Sequence, residues 1–154
     1  MEYEVNAFIT YLHNEKKISE NTEVSYKRDL TKLSAYLDGQ GVTEVGKITF
    51  TNLNSYVLYL EKNKLSPATI SRNIASIKAF YHFLYKGRWV TEDVAEGLKA
   101  PKIEKKAPEI MSMPEVVRLL EQPDTGSSKG IRDKAMLELL YATGIRVSEL
   151  ISLK

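Results

Sequence analysis

The sequence predicts an all-α protein, and three observations carry that prediction. Apolar residues recur at three- and four-residue steps through most of the chain. Helix-start signals stand ahead of those runs, Ser66-Pro67 and Ser112-Met113-Pro114-Glu115 being the clearest. No segment alternates apolar and polar residues convincingly enough for a long strand, and no internal repeat is visible. A length of 154 residues, 43% hydrophobic and 27% charged, suits one ordinary domain or two small ones.

The first helix is expected from about Glu2 to Lys17, with Val5, Phe8, Ile9 and Leu12 on one stripe. Ser19 caps a second, whose stripe is Tyr26, Leu30, Leu33 and Leu37 and whose end is marked by Gly39 and Gly41. Thr49 or Thr51 opens a third, carrying Leu53, Tyr56, Val57 and Leu60. The fourth starts at Ser66-Pro67 and runs to about Lys86, with Ile70, Ile74, Ile77, Tyr81 and Leu84 facing inward and Gly87 as the stop. Thr91–Gly97 reads as one or two further helical turns. Lys99–Pro108 is a basic run bracketed by prolines with no amphipathic period, the pattern of a linker. Beyond it, Ser112 opens a helix, Gln122–Gly130 reads as loop, and Ile131–Thr143 is helical again.

Several function classes fall away on composition. The sequence has no cysteine, so there is no disulfide framework and no thiolate metal site. His13 and His82 lack ligand spacing to each other, so no metal site is expected. The N-terminus, Met1-Glu2-Tyr3-Glu4-Val5, lacks the basic-then-apolar order of a signal peptide. No apolar run approaches the roughly 20 residues of a membrane span. A cytoplasmic protein with no membrane partner is the expectation. The net charge of +2 is close to neutral, so its distribution is more informative than its sum.

That distribution is uneven. From Lys62 through Arg88 the bases are Lys62, Lys64, Arg72, Lys78, Lys86 and Arg88, with no acid among them. On the fourth helix the side opposite the isoleucines is expected to carry Arg72, Ala75, Ser76, Ala79 and Lys86. Small residues beside long cations let a helix approach a duplex while its charges reach phosphates. The second helix has a comparable outer face of Asn21, Arg28, Thr31, Lys32 and Ala35. Lys99, Lys102, Lys105 and Lys106 add a basic patch in the linker. Ordinary solvated helix faces and a charged connector are the competing reading of all three. The aromatics Phe80, Tyr81, Phe83, Tyr85 and Trp89 are read as core or inter-helix contacts rather than base-stacking surfaces, and His82 is given no role.

The most informative segment is Tyr141-Ala142-Thr143-Gly144-Ile145-Arg146-Val147-Ser148-Glu149-Leu150. Gly144 ends one helix in a left-handed turn, and Arg146 begins the next. A guanidinium there could grip two phosphate oxygens, with Glu149 three positions on to orient it. A plain structural arginine–glutamate pair is the competing reading.

With its approach from Arg132-Asp133-Lys134-Ala135-Met136-Leu137-Glu138-Leu139-Leu140, this segment resembles the first catalytic box of the tyrosine recombinases (phage integrase family), particularly the XerC/XerD type. The runs Ser19-Glu20-Asn21-Thr22 through Tyr26-Lys27-Arg28-Asp29-Leu30, and Ser66-Pro67-Ala68-Thr69-Ile70-Ser71-Arg72-Asn73-Ile74 through Phe80-Tyr81-His82-Phe83-Leu84, resemble that family's core-binding domain. The resemblance covers essentially the whole chain. It implies a SAM-like core-binding domain of four or five helices over 1–98, a linker over 99–108, and the helical opening of a truncated catalytic domain over 109–154.

By the same resemblance the chain is the DNA-binding portion of a site-specific recombinase, with double-stranded DNA as partner and no metal or nucleotide cofactor. Arg146 would bind the scissile phosphate and Glu149 would support it. The expected DNA contacts are Asn21, Arg28, Lys32, Arg72, Ser76, Lys78, Lys86, Lys99 and Lys102. The family's nucleophilic tyrosine follows this arginine, whereas all nine tyrosines here precede Arg146. No strand cleavage by this chain alone is therefore expected. A helical module that associates with itself or with an intact recombinase through Ile131–Leu153 is the alternative.

Overall fold

The structure is a computed structural model, and it describes residues 1–103 and 107–153. The described residues are helical or irregular, with no strand among them. The chain divides into two compact units, Met1–Glu104 and Lys105–Lys154.

The described residues of unit 1 hold four α-helices: α1 (Glu2–Tyr11), α2 (Glu20–Asp38), α3 (Phe50–Lys62) and α4 (Pro67–Lys86). Each start from α2 onward is set by a hydroxyl that accepts a backbone N–H otherwise left without a partner. Ser19 accepts from Thr22, and Ser66 accepts from Thr69 with Pro67 at the first helical position. Thr49, rather than Thr51, opens α3, in a reciprocal box in which the Asn52 side chain also accepts the Thr49 N–H at 2.9 Å.

Two local features depart from the expected pattern. The first helix reaches its expected length, but its last turn, Leu12–Lys16, is π-helical and ends at Lys17 in the left-handed region (φ 49°). Thr91–Gly97 is not helical; it is a bend followed by hydrogen-bonded turns, with Glu96 N–H donating to Asp93 O and Leu98 N–H to Ala95 O. Those turns bury Ala95 and Leu98, three residues apart.

The apolar stripes meet in one core. Phe8, Leu30, Leu33, Leu37, Leu53, Ile77, Phe80, Tyr81 and Leu84 are buried together, and α2 packs on both α1 and α4. Burial of side chains this size contributes about 1.5–3 kcal/mol each before conformational entropy is charged against it. Phe80, Tyr81 and the half-buried Phe83 belong to this core as expected, whereas Tyr85 is exposed. Trp89 stands at the edge, stacked with Tyr3 and tilted against Phe83.

Unit 2 consists of α5 (Met113–Leu120), α6 (Ser128–Thr143) and α7 (Val147–Ser152). Helix α6 begins three residues before the expected Ile131, because Ser127 rather than a later residue caps it by accepting the Gly130 N–H. Lys134 Nζ donates to Leu120 O and so ties α6 to α5. Among the described residues of this unit no hydrophobic side chain is buried. No helix among the described residues is long and apolar enough to cross a membrane.

Candidate nucleic-acid interface

On α2 the expected outer face is where the sequence puts it: Asn21, Arg28, Thr31, Lys32 and Ala35 are all exposed. At about 100° per residue, Asn21, Arg28, Lys32 and Ala35 lie within about 120° of Asp29 on one side of the helix. Asp29 itself points the other way chemically. It is 1% exposed, a carboxylate set beside Leu30 and Leu33 in the stripe that packs inward.

On α4 the expected face splits. Ala75 and Lys86 are exposed and Arg72 is partly so, with Ala79 half-buried against the core. Ser76 is fully buried, so its placement on the outer face is corrected. Its hydroxyl lies 3.0 Å from Asp29 Oδ2 and 3.1 Å from Arg72 O, which commits it to the α2–α4 contact and leaves it unable to meet a surface ligand. Lys78 lies on another side of α4, where its ammonium donates to Glu96 O at 2.9 Å and anchors the turn that follows the helix.

The sequence missed the junction that joins the two faces. Arg72 Nη1 donates to Asp29 Oδ2 and, at 3.5 Å, to Ser25 O, so one guanidinium edge is held across the α2–α4 seam. Among the described residues Nε and Nη2 of Arg72 have no protein acceptor, and its side chain is 39% exposed. Asp29 Oδ1 is buried without a protein partner. One signal was present in the sequence. An acid at helical spacing from Tyr26 and Leu33 must find a cation, and α4 offers Arg72 one turn before a serine.

A buried polar layer continues from this pair. Tyr56 on α3 is 1% exposed, and its hydroxyl points to Asn73 Oδ1 at 3.5 Å. Burial, with the nearby Asp29 charge adding to it, pushes the Tyr56 phenol well above its ordinary value. Three helices are thus cross-linked by polar groups beneath the basic face.

Lys99 and Lys102 are exposed, consistent with an irregular connector at the end of unit 1. The other expected linker cations, Lys105 and Lys106, lie outside the described residues.

In unit 2, Gly144 takes the left-handed conformation (φ 66°) and its N–H donates to Leu140 O, which closes α6. Arg146 then occupies the residue before α7. Its N–H donates to Glu149 Oε2 at 2.8 Å and its Nη1 to Glu149 Oε1 at 3.0 Å. Glu149 therefore caps the helix and holds the guanidinium at once. The Arg146 side chain is 82% exposed, so its remaining N–H groups are open to an anion. Both the expected partners and their spacing are present here.

Comparison with known proteins adds to this geometry. Residues 5–87 match the family model described as "Phage integrase, N-terminal SAM-like domain", and residues 109–154 match "Phage integrase family". The chain is 43% identical over 154 residues to tyrosine recombinase XerD of Oceanobacillus iheyensis, covering 99% of this chain and 52% of that one. It is 35% identical over 154 residues to tyrosine recombinase XerC of Roseiflexus sp., covering 99% of this chain and 49% of that one. A Caldanaerobacter subterraneus protein named for the tyrosine recombinases is 41% identical over 150 residues, covering 97% of this chain and 51% of that one. The chain spans about half the length of the curated relatives it matches.

Proposed function

The chain belongs to the phage integrase family, and from that premise we propose that it is the DNA-gripping portion of a site-specific tyrosine recombinase. In this reading residues 1–98 hold the duplex, 99–108 follow its backbone as a basic linker, and 109–154 carry the first part of the catalytic domain. The observation that carries it is the α2–α4 face. Arg28 and Lys32 on α2 and Lys86 on α4 reach solvent, and Arg72 sits at the seam between the two helices with donors to spare. Asn21 adds a side chain able to read a base edge.

Arg146 is the phosphate ligand of the reacting centre in this reading. Glu149 holds one edge of its guanidinium and leaves the rest for a phosphoryl oxygen. Cleavage also requires a tyrosine nucleophile and proton-transfer groups that follow this arginine in the family. Tyr141 is the last tyrosine of the sequence. The chain alone is therefore expected to bind DNA without cutting it.

Fluorescence anisotropy on a labelled duplex across a salt series tests the binding. If Arg28, Lys32, Arg72 and Lys86 each neutralise one phosphate, log Kd changes with log salt at a slope of about 3.6, so affinity falls about 150-fold from 50 to 200 mM. Binding that is absent at low salt, or indifferent to salt, overturns the reading. A supercoiled-plasmid nicking assay tests the other half, where tyrosine-dependent strand cleavage would be the contrary result.

A second reading rests on unit 2. Ile131, Tyr141, Val147 and Ile151 are all more than half exposed, a surface more apolar than a solitary unit usually keeps. Association of Ile131–Leu153 with a second copy or with an intact recombinase would cover it. Light scattering across concentrations separates the two, since a monodisperse monomer argues against self-association.

A further inference from the structure

We infer that Asp29 is a positioning residue for DNA, holding the Arg72 guanidinium at the α2–α4 seam so that its free edge meets a phosphate. The inference rests on the DNA-gripping reading above and gives it a mechanism. Asp29 is 1% exposed and lies on the inward stripe of α2, so it cannot touch a duplex itself. It reaches the surface only through Arg72. One guanidinium nitrogen, Nη1, is spent on Asp29 Oδ2 and Ser25 O, while Nε and Nη2 have no protein acceptor among the described residues. Nε and Nη2 form the lateral edge of the fork, the geometry that grips two oxygens of one phosphate.

Ser76 completes the arrangement. Its hydroxyl donates to the same carboxylate oxygen at 3.0 Å and so fixes the acceptor to which Arg72 is bound. An arginine on an open helix face searches many rotamers and loses that freedom on binding. Arg72 has largely lost it already. The same two helices carry three further exposed cations, Arg28 and Lys32 on α2 and Lys86 on α4.

Electrostatics and positioning predict opposite signs for Asp29→Asn. The substitution removes a negative charge beside the basic face, so charge alone predicts tighter binding to DNA. Loss of the charged acceptor loosens Arg72, so positioning predicts weaker binding, by about fivefold on a random-sequence duplex at low salt. Tighter or unchanged binding by a folded Asp29→Asn protein overturns the inference.

The double variant Asp29→Leu with Arg72→Met removes the pair together, leaves net charge unchanged, and avoids stranding a buried charge. Its salt slope should fall by about 0.9, one phosphate contact, with affinity down about tenfold. A double variant with the wild-type slope would make the pair purely structural and sink the proposal. Circular dichroism and thermal melts establish that each variant is folded; Asp29→Asn decides whether Asp29 positions the guanidinium, and the double variant decides whether that guanidinium meets a phosphate. If the unsubstituted protein shows no salt-sensitive binding, the DNA reading itself fails, an outcome distinct from both.

Discussion

Replacing Gly130 with alanine sets two effects of opposite sign against each other in the first turn of α6. At an ordinary helical position the change stabilises by about 1 kcal/mol, because alanine loses less backbone entropy and shields the helix better. Here an added Cβ would lie 2.5 Å from the Asp124 carbonyl carbon and inside contact with its oxygen. Carbon atoms rest about 3.5–4.0 Å apart, so the Asp124 carbonyl must retreat by about 1 Å or more. It is not free to do so. Asp124 O accepts the Ser127 N–H at 3.3 Å and the Ser127 hydroxyl at 3.2 Å, while Asp124 Oδ1 accepts the Gly126 N–H at 2.9 Å. Retreat breaks the first two bonds and displaces Ser127, whose Oγ caps α6 through the Gly130 N–H. Two hydrogen bonds at about 1 kcal/mol each and a cap worth about 1 kcal/mol outweigh the propensity gain, for a net loss of about 2 kcal/mol. Amide exchange in the first turn of α6, followed by mass spectrometry, should then quicken about 30-fold. Gly46→Ala serves as the control: nothing lies within 4 Å of its Cβ, and stability should hold or rise slightly. Slower or unchanged exchange in the Gly130→Ala protein would refute the steric argument.

Arg72→Ala leaves the Asp29 carboxylate buried with only Ser76 beside it, and urea unfolding should show a loss of about 3 kcal/mol, the low end for a stranded charge because Arg72 is partly exposed. Arg28→Ala, on the exposed face, should stay within about 0.5 kcal/mol. Glu115 accepts both the N–H and the hydroxyl of Ser112 at 2.7 Å, and these bonds hold its carboxyl below the usual glutamate range. Its cap therefore stabilises α5 above the ordinary glutamate pKa and is lost as pH falls through the depressed one. Acid should lower the protection factors at the start of α5, measured against the unstructured rate at each pH, in the natural protein and not in Glu115→Gln, and acid-insensitive protection would contradict this. Burial raises the phenols of Tyr56 and Tyr81 well above their ordinary value, with the nearby carboxylates of Asp29 and Asp93 adding to it. Their neutral forms are favoured in the fold, so stability is intact below the unfolded value of 10.0 and declines above it. An alkaline absorbance titration should show two phenols ionising only as the protein unfolds, and full ionisation before the unfolding step would contradict it.

Much of the fold was legible because helices advertise themselves twice, in period and in punctuation. The stripe Ile70, Ile74, Ile77, Tyr81 and Leu84 is buried throughout, and Ser66-Pro67 opens α4. Neither signal depends on distant residues. Thr91–Gly97 forms hydrogen-bonded turns instead of helix, and those turns bury Ala95 and Leu98 as a helical turn would. The π-helical end of the first helix gave no sign at all, since Leu12 satisfies the apolar stripe in either geometry.

The candidate site was legible where its parts are local and misread where they are not. Arg146 and Glu149 are three residues apart, and the capping box at the start of α7 brings them together. Arg72 and Asp29 are 43 residues apart, and only the packing of α2 on α4 joins them. A helical wheel assigns a residue to a face by its angle, and Ser76 lies only about 40° from Arg72 on that wheel, yet it is fully buried against α2 while Arg72 is partly exposed. The better predictor was chemical. Ser76 is four residues from Phe80 and next to Ile77, both fully buried, and a small hydroxyl in that company is expected to serve a buried acceptor. Asp29, adjacent to Leu30 and four residues from Leu33, is that acceptor. An acid and a serine, each out of place in its own apolar stripe, are each other's explanation, and the arginine between them is held by a buried carboxylate before any DNA arrives.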